Sequence, residues 1–192
     1  MMTSTAPFIA SDPADWSPLA QQQAFRRILN AFSYPGRIVA LHTPAAHALP
    51  IVLATLLDPA ATLADPCDVV SPRDRHRLGA RSVDPTGAQF VVMPGSRLPD
   101  FEPSLGVLES PEQGATLLLV ADRLTDSRGL RLKGPGIPDS NTLHVDGVNE
   151  QWWKLRESWN GSFPLGVDIV LLCSDCLAAI PRTVQIATEG AR

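Results

Sequence analysis

The side chains that could do chemistry in this 192-residue chain are few and far apart. Cys173 and Cys176 make a single C-x-x-C around Ser174 and Asp175. Two such pairs would argue for zinc, whereas one supplies half a site. A redox pair normally opens a helix, where the dipole favours the thiolate, but this one straddles a predicted hairpin turn. Two structural thiols follow from that placement, the alternative being a metal half-site completed by a partner chain. His42, His47, His76 and His144 form neither H-x-H nor H-x-x-x-H, so their spacing predicts no metal site. There is no G-x-x-x-x-G-K-[ST] phosphate loop and no G-x-G-x-x-G after a strand. Nor is there a G-x-S-x-G nucleophile elbow. Gly134-Pro135-Gly136 follows a strand, but proline removes an amide that a phosphate nest needs, so it reads as a turn.

Asp168 is the charge that looks out of place. It lies inside the apolar run Val167–Leu172, where an unpaired carboxylate is costly. Arg182, just past the returning strand, or Arg131, on an alternating strand, would neutralise it. Such a pair is either a buried ion pair fixing the sheet or an anion-binding edge, and Arg131, Asp168 and Arg182 are therefore the candidate substrate-binding residues. Trp152 and Trp159 share one face of a predicted helix and Trp153 points off it, as an interface anchor or as a side chain tucked under a loop.

These residues need elements to hold them. The stretch Phe163–Thr183 reads as two apolar strands joined at Ser174-Asp175, short enough and apolar enough to be covered on both faces. Pro164 and Gly166 set its entry and Pro181 ends it. Residues 1–16 are expected to be irregular. Ser17 and Pro18 begin a helix, with Phe25, Ile28, Leu29 and Phe32 as its buried stripe, closed by Tyr34-Pro35-Gly36. Strands are expected at Arg37–His42, Cys67–Val70, Gln89–Met93, Ala115–Val120, Leu130–Lys133 and Leu143–Val145. A buried helix is expected over Ala48–Leu57 and another over Gly147–Trp159, with Asp146 as its cap and Asn160-Gly161 as its stop. Residues 71–87 read as an exposed segment with at most one short helix, and 95–113 as mostly loop. Interspersed strands and helices, with many strands apolar throughout, predict a three-layer α/β/α sandwich around a mixed sheet, in one domain spanning 1–192.

Composition agrees with a soluble globular protein: 44% hydrophobic residues and net charge −4. That balance argues against a nucleic-acid binder, which carries a basic stripe. No apolar stretch is long enough to span a bilayer, no signal peptide is visible, and three cysteines predict a reducing cytoplasm without a disulfide framework. Of 16 cationic side chains only Lys133 and Lys154 are lysines.

Five ordered blocks resemble the PhnH family, a subunit of the bacterial carbon–phosphorus lyase core complex. They are Gln23–Leu29 with Pro35–His42; Gly114–Leu119; Leu130-Arg131-Leu132 with Gly134, Gly136 and Ile137; Phe163–Asp168; and Ala179–Thr183. The resemblance implies a fold similar to the large domain of pyridoxal-phosphate-dependent transferases, without that cofactor. It implies a homodimer in isolation that joins the G, I and J subunits, and a part, with I, G and L, in displacing adenine from ATP by a phosphonate. The product would be a ribose 1-phosphonate 5-triphosphate, whose carbon–phosphorus bond another subunit cleaves. The family supplies no catalytic residue to carry over, and the region 71–113 departs most from its pattern. Two rival readings are a stand-alone pyridoxal-phosphate transferase with its aldimine on Lys133 or Lys154, and a small zinc protein built on Cys173 and Cys176.

Overall fold

A computed structural model describes residues 8–42 and 47–188. In chain order the elements are α1 (Pro18–Ser33), β1 (Val39–Ala40), α2 (Leu49–Leu56), β2 (Thr62–Ala64), α3 (Pro72–Leu78), β3 (Arg81–Ser82), β4 (Phe90–Pro94), β5 (Leu105–Val107) and β6 (Ser110–Gly114). They continue with β7 (Thr116–Val120), β8 (Arg123–Lys133), β9 (Asn141–Asp146), α4 (Gln151–Trp159), β10 (Asp168–Leu172), β11 (Cys176–Ile180) and β12 (Gln185–Thr188).

Seven strands form one mixed sheet in the order β1-β11-β10-β7-β4-β2-β3. β10, β7, β4, β2 and β3 run parallel. β11 returns antiparallel to β10, pairing Ile169 with Ile180 and Leu172 with Leu177, and β1 is antiparallel to β11. The predicted hairpin therefore lies inside the sheet. Its apolar side chains alternate between two cores because successive strand residues point to opposite faces. Val170, Leu172, Leu177 and Ala179 pack with Ile28 of α1 and Leu49, Val52 and Leu53 of α2. Ile169, Leu171, Ala178 and Ile180 pack with Trp152 of α4 and with Leu130, Leu132 and Leu143. Those last three belong to a second, antiparallel sheet, β12-β8-β9. The far layer is thus one helix plus a three-stranded sheet, where an all-helical layer had been expected. β5 and β6 form a separate two-stranded hairpin.

α1 begins as its sequence dictates: Ser17 Oγ accepts from Ala20 N–H at 3.2 Å and Pro18 needs no donor of its own. Its buried face, however, is Ala24, Ile28 and Ala31, while Phe25 is 47% and Leu29 50% exposed. Small residues let α1 lie close to the sheet and α2; of the expected stripe Ile28 is buried and Phe32 half-buried against the same core, while Phe25 and Leu29 turn outward. Gly36 (φ 75°) closes the helix beneath Leu132, at an angle other residues rarely adopt.

Other expectations are corrected in detail. Only Val39–Ala40 of the Arg37–His42 segment pairs as a strand. Cys67–Val70 contributes one bridge, Val70 to Ile9, and the strand lies earlier, at β2. Trp153, expected off the packed face, is 6% exposed and belongs to the core. Asp146 ends β9, and the N-cap of α4 is Glu150, which makes no side-chain capping bond.

The segment 71–87 contains α3 and β3, and its Asp74 is buried. Asp74 accepts from Ser11 N–H (2.8 Å), from the Ser11 hydroxyl and from Ser71 Oγ (2.8 Å). Burial acts to raise the Asp74 pKa, but these hydrogen bonds and the Arg73 charge outweigh it and hold the carboxyl below its ordinary value. Residues 8–16, expected to be irregular, are drawn in by the same contacts, by the Ile9–Val70 bridge and by a 3-10 turn at Pro13–Trp16 capped by Asp12. Residues 1–7 lie outside the described chain. Loops were expected over 95–113, where β5 and β6 stand.

Candidate functional site

Two constellations gather the candidate residues, both at ends of the β10–β11 hairpin. At the open end, Arg182 Nη2 donates to Asp168 Oδ2 at 2.7 Å, and Arg182 N–H donates to Asp168 Oδ1 at 2.7 Å. Arg182 Nε lies 3.3 Å from Oδ2, Nη1 donates to the Pro111 carbonyl at 2.7 Å, and Nη2 reaches the Gly114 carbonyl at 3.4 Å. The pair is mostly enclosed, with side-chain exposures of 13% for Arg182 and 19% for Asp168. One guanidinium therefore ties β10 to the segment after β11 and to the β5–β6 hairpin. Glycine at 114 is required: a Cβ there would lie 2.7 Å from Arg182 Nη1. Arg131 is elsewhere, exposed on β8 and paired with Thr142 of β9 and Ala187 of β12. Of the three candidate residues, the fold unites Asp168 and Arg182 and separates Arg131.

A third charge belongs to this end and was missed from sequence. Arg156 of α4 is 3% exposed and donates from Nη2 to the carbonyls of Pro181 (2.6 Å) and Val184 (2.9 Å). Its Nε is buried without a partner. Burial lowers its pKa to about 10, opposed by the Asp168 charge, so it stays cationic at neutral pH. Its position four residues after Trp152 placed it on the buried face of α4, and that spacing was the available signal. Arg182 and Arg156 together hold the crossing from β11 to β12, the link between the two sheets.

At the closed end, the turn Cys173–Cys176 returns the chain. Cys173 N–H donates to the Cys176 carbonyl at 3.0 Å. The two Cα atoms are 5.3 Å apart and the sulfurs are joined as a disulfide, which corrects the expectation of two free structural thiols. The turn sets this separation, inside the roughly 4.4–6.8 Å that a disulfide bridges. Cys173, Asp175 and Cys176 bring their potential ligand atoms within 4.8 Å of one another, but sulfurs bonded to each other offer no thiolate to a metal. Cys67 is the free cysteine, its thiol pKa raised chiefly by burial.

The chain on either side of residues 43–46 wraps this turn: Leu41 N–H donates to the Asp175 carbonyl (2.7 Å) and Ala48 N–H to the Cys173 carbonyl (3.1 Å). His47 accepts from Leu49 N–H at Nδ1 (3.0 Å), leaving its buried Nε2 without a partner. Burial lowers its pKa to about 4. His42 is exposed, His76 lies on α3, and His144 on β9 contacts Asp146 at 2.9 Å. Lys133 and Lys154 are both exposed. Among the described residues no helix is long and apolar enough to cross a membrane.

These features define a mixed-sheet α/β protein whose buried charges hold one layer to the next. The chain belongs to the PhnH family of bacterial phosphonate metabolism proteins, which it matches over residues 14–187. It is 45% identical over 196 aligned positions, covering all of both chains, to a putative C-P lyase subunit protein, HtxG, of Stutzerimonas stutzeri. It is also 26% identical, over 88% of this chain and 90% of the relative, to the PhnH subunit of alpha-D-ribose 1-methylphosphonate 5-triphosphate synthase of Rhizobium meliloti (strain 1021).

Proposed function

We propose that this chain is a subunit of a carbon–phosphorus lyase assembly. It supports the step in which an alkylphosphonate oxygen bonds to the ribose C1′ of ATP while the bond to adenine breaks. Adenine leaves with a proton, and the product is a ribose 1-phosphonate 5-triphosphate. The observation that carries the reading is 45% identity, over all of both chains, to a protein described as a putative C-P lyase subunit. The synthase subunit named for the second relative points to the specific step.

Within that assembly the chain acts by placement, and its partners are the G, I and J subunits. The outward face of α1 supports this: Leu19, Phe25 and Leu29 are exposed beside Arg26 and Arg27, and α1 carries no acidic residue. A face that is both apolar and basic suits a partner subunit presenting apolar and acidic side chains. A second copy of α1 would instead set arginine against arginine. Alone, the chain is proposed to form a homodimer through another surface. The Asp168–Arg182 pair is assigned to holding the sheets, with Arg131 as the one sequence-derived candidate still open to a substrate anion. The seven-stranded mixed sheet is compatible with kinship to the large domain of pyridoxal-phosphate transferases, and the exposure of both lysines weighs against an aldimine in this subunit. We place the assembly in the cytoplasm, where its ATP is.

The test is co-expression with the G, I and J subunits, followed by size-exclusion chromatography with light scattering. Elution in a complex of fixed stoichiometry is expected. Elution of this chain apart from the others, under conditions in which they assemble, would contradict the proposal.

A further inference from the structure

A cavity of about 310 Å³ opens between α1, the Leu41–His42 segment and α2, at the edge of the α1 face that carries Arg26 and Arg27. Its size is at the low end of ligand pockets, roughly 300–1,000 Å³, which suits a small solute and not a whole nucleotide. Two kinds of surface meet there. Leu41 and Ile51 are buried and give an apolar wall, while Gln23, Arg26, Arg27 and His42 are exposed and reachable. Asp15 closes one end, but it is fully buried and its carboxylate accepts from Asp12 N–H, so it forms part of the wall. The groups facing a solute are therefore two guanidiniums, an amide and an imidazole, with no reachable carboxylate among the lining residues. With Asp15 in the wall the lining carries two guanidiniums against one carboxylate, so the site is net positive in a chain of net charge −4.

We propose that this cavity binds a small phosphorus oxyanion with a short carbon body, a phosphonate or a phosphate monoester. Arg26 and Arg27 hold the oxyanion, and Gln23 and His42 hydrogen-bond the rest. The guanidinium fork matches the spacing of phosphoryl oxygens and donates to them with charge assistance. The adjacent apolar wall takes the carbon body. That the anion is a phosphorus oxyanion and not a carboxylate rests on the proposed place in phosphonate metabolism; that it is an anion rests on the cavity alone.

Isothermal titration calorimetry on the isolated chain tests this independently of assembly, with methylphosphonate, ribose 5-phosphate and acetate as probes. Saturable binding of at least one phosphorus probe is expected at about 1 mM or tighter, and acetate should bind at least tenfold more weakly. The double substitution Arg26→Ala/Arg27→Ala removes exposed side chains from a helix, where alanine is well tolerated. It should weaken binding at least tenfold with an unchanged melting temperature. Arg81→Ala, an exposed arginine on β3 remote from the cavity, should leave binding intact. The preferred phosphorus probe distinguishes free phosphonate from a sugar phosphate. Any of four results would overturn the proposal: no phosphorus probe binds, acetate binds equally well, the double variant binds like the original, or Arg81→Ala weakens binding as much. A chain that binds the probe but fails to join the other subunits would keep this site and defeat the functional reading; the opposite pattern would do the reverse.

Discussion

Replacing Arg182 by alanine should be among the most destabilising changes available at a side chain that is not apolar. It removes the 2.7 Å contact to Asp168 Oδ2 and the 2.7 Å bond to the Pro111 carbonyl. Asp168 would keep only the residue-182 backbone N–H as a known donor. Breaking a buried ion pair costs about 3–5 kcal/mol. Exposures of 13% and 19% admit some water, so the lower end applies, about 3 kcal/mol. For a chain of this length that corresponds to roughly 6–12 °C in melting temperature. The assay is urea unfolding of the original, Arg182→Ala, Asp168→Asn and the double variant, read as midpoints at constant slope. Because both side chains serve one clamp, a coupling energy of about 1–2 kcal/mol is expected between them. Single variants within about 0.5 kcal/mol of the original, with no coupling, would refute the assignment of this pair to holding the sheets.

Three further outcomes follow from the same structure. His47 titrates near 4 when folded against 6.5 unfolded, so the unfolded chain binds more protons between those values. Stability should be intact above pH 6.5 and decline toward pH 4, by about 2 kcal/mol after allowing for partial solvent access. His47→Gln should flatten that part of a melting-temperature profile, and an unchanged slope would count against it. Thiol titration of the unfolded, unreduced chain should find one reactive cysteine, Cys67, and three after reduction; three before reduction would contradict the Cys173–Cys176 bond. Phe25→Glu with Leu29→Glu should leave the melting temperature of the isolated chain within a few degrees, since both side chains are about half exposed, yet reduce co-elution with the G, I and J subunits. Retained co-elution would show that this face of α1 is not the docking surface.

Much of the fold could be read from local pattern where that pattern was strong. The β10–β11 hairpin, β4, β7, α2 and the start of α1 all carry apolar runs or capping residues that leave little choice. Short strands such as β2 and β3 gave no signal, because two or three residues are too few to show a period. β5 and β6 are masked by Pro99 and Pro103 before them and by Pro111 within β6, which a two-stranded hairpin accommodates because it has no central strand to disrupt. In α1 the difference is of another kind: side-chain size does not predict burial there. Phe25 and Leu29 look like core residues, but the buried face is made by Ala24, Ile28 and Ala31 with Phe32 packed against it, and those two side chains stay outside. At the candidate site, Asp168 announced itself as a charge in an apolar strand, and its partner was correctly among the two arginines considered. Arg156 showed only through its spacing from Trp152, and the main-chain carbonyls of Pro181 and Val184 that accept from it are brought there by the fold. The cysteine pair was located on its turn, but its bonding state depends on an approach of Cα atoms that sequence does not fix.

Growth on a phosphonate tests the central claim most directly. In the organism of origin, removal of the gene for this chain should abolish growth on methylphosphonate as sole phosphorus source while leaving growth on inorganic phosphate unchanged, and the intact gene should restore it. Undiminished growth on methylphosphonate without the chain would contradict its place in the carbon–phosphorus lyase assembly.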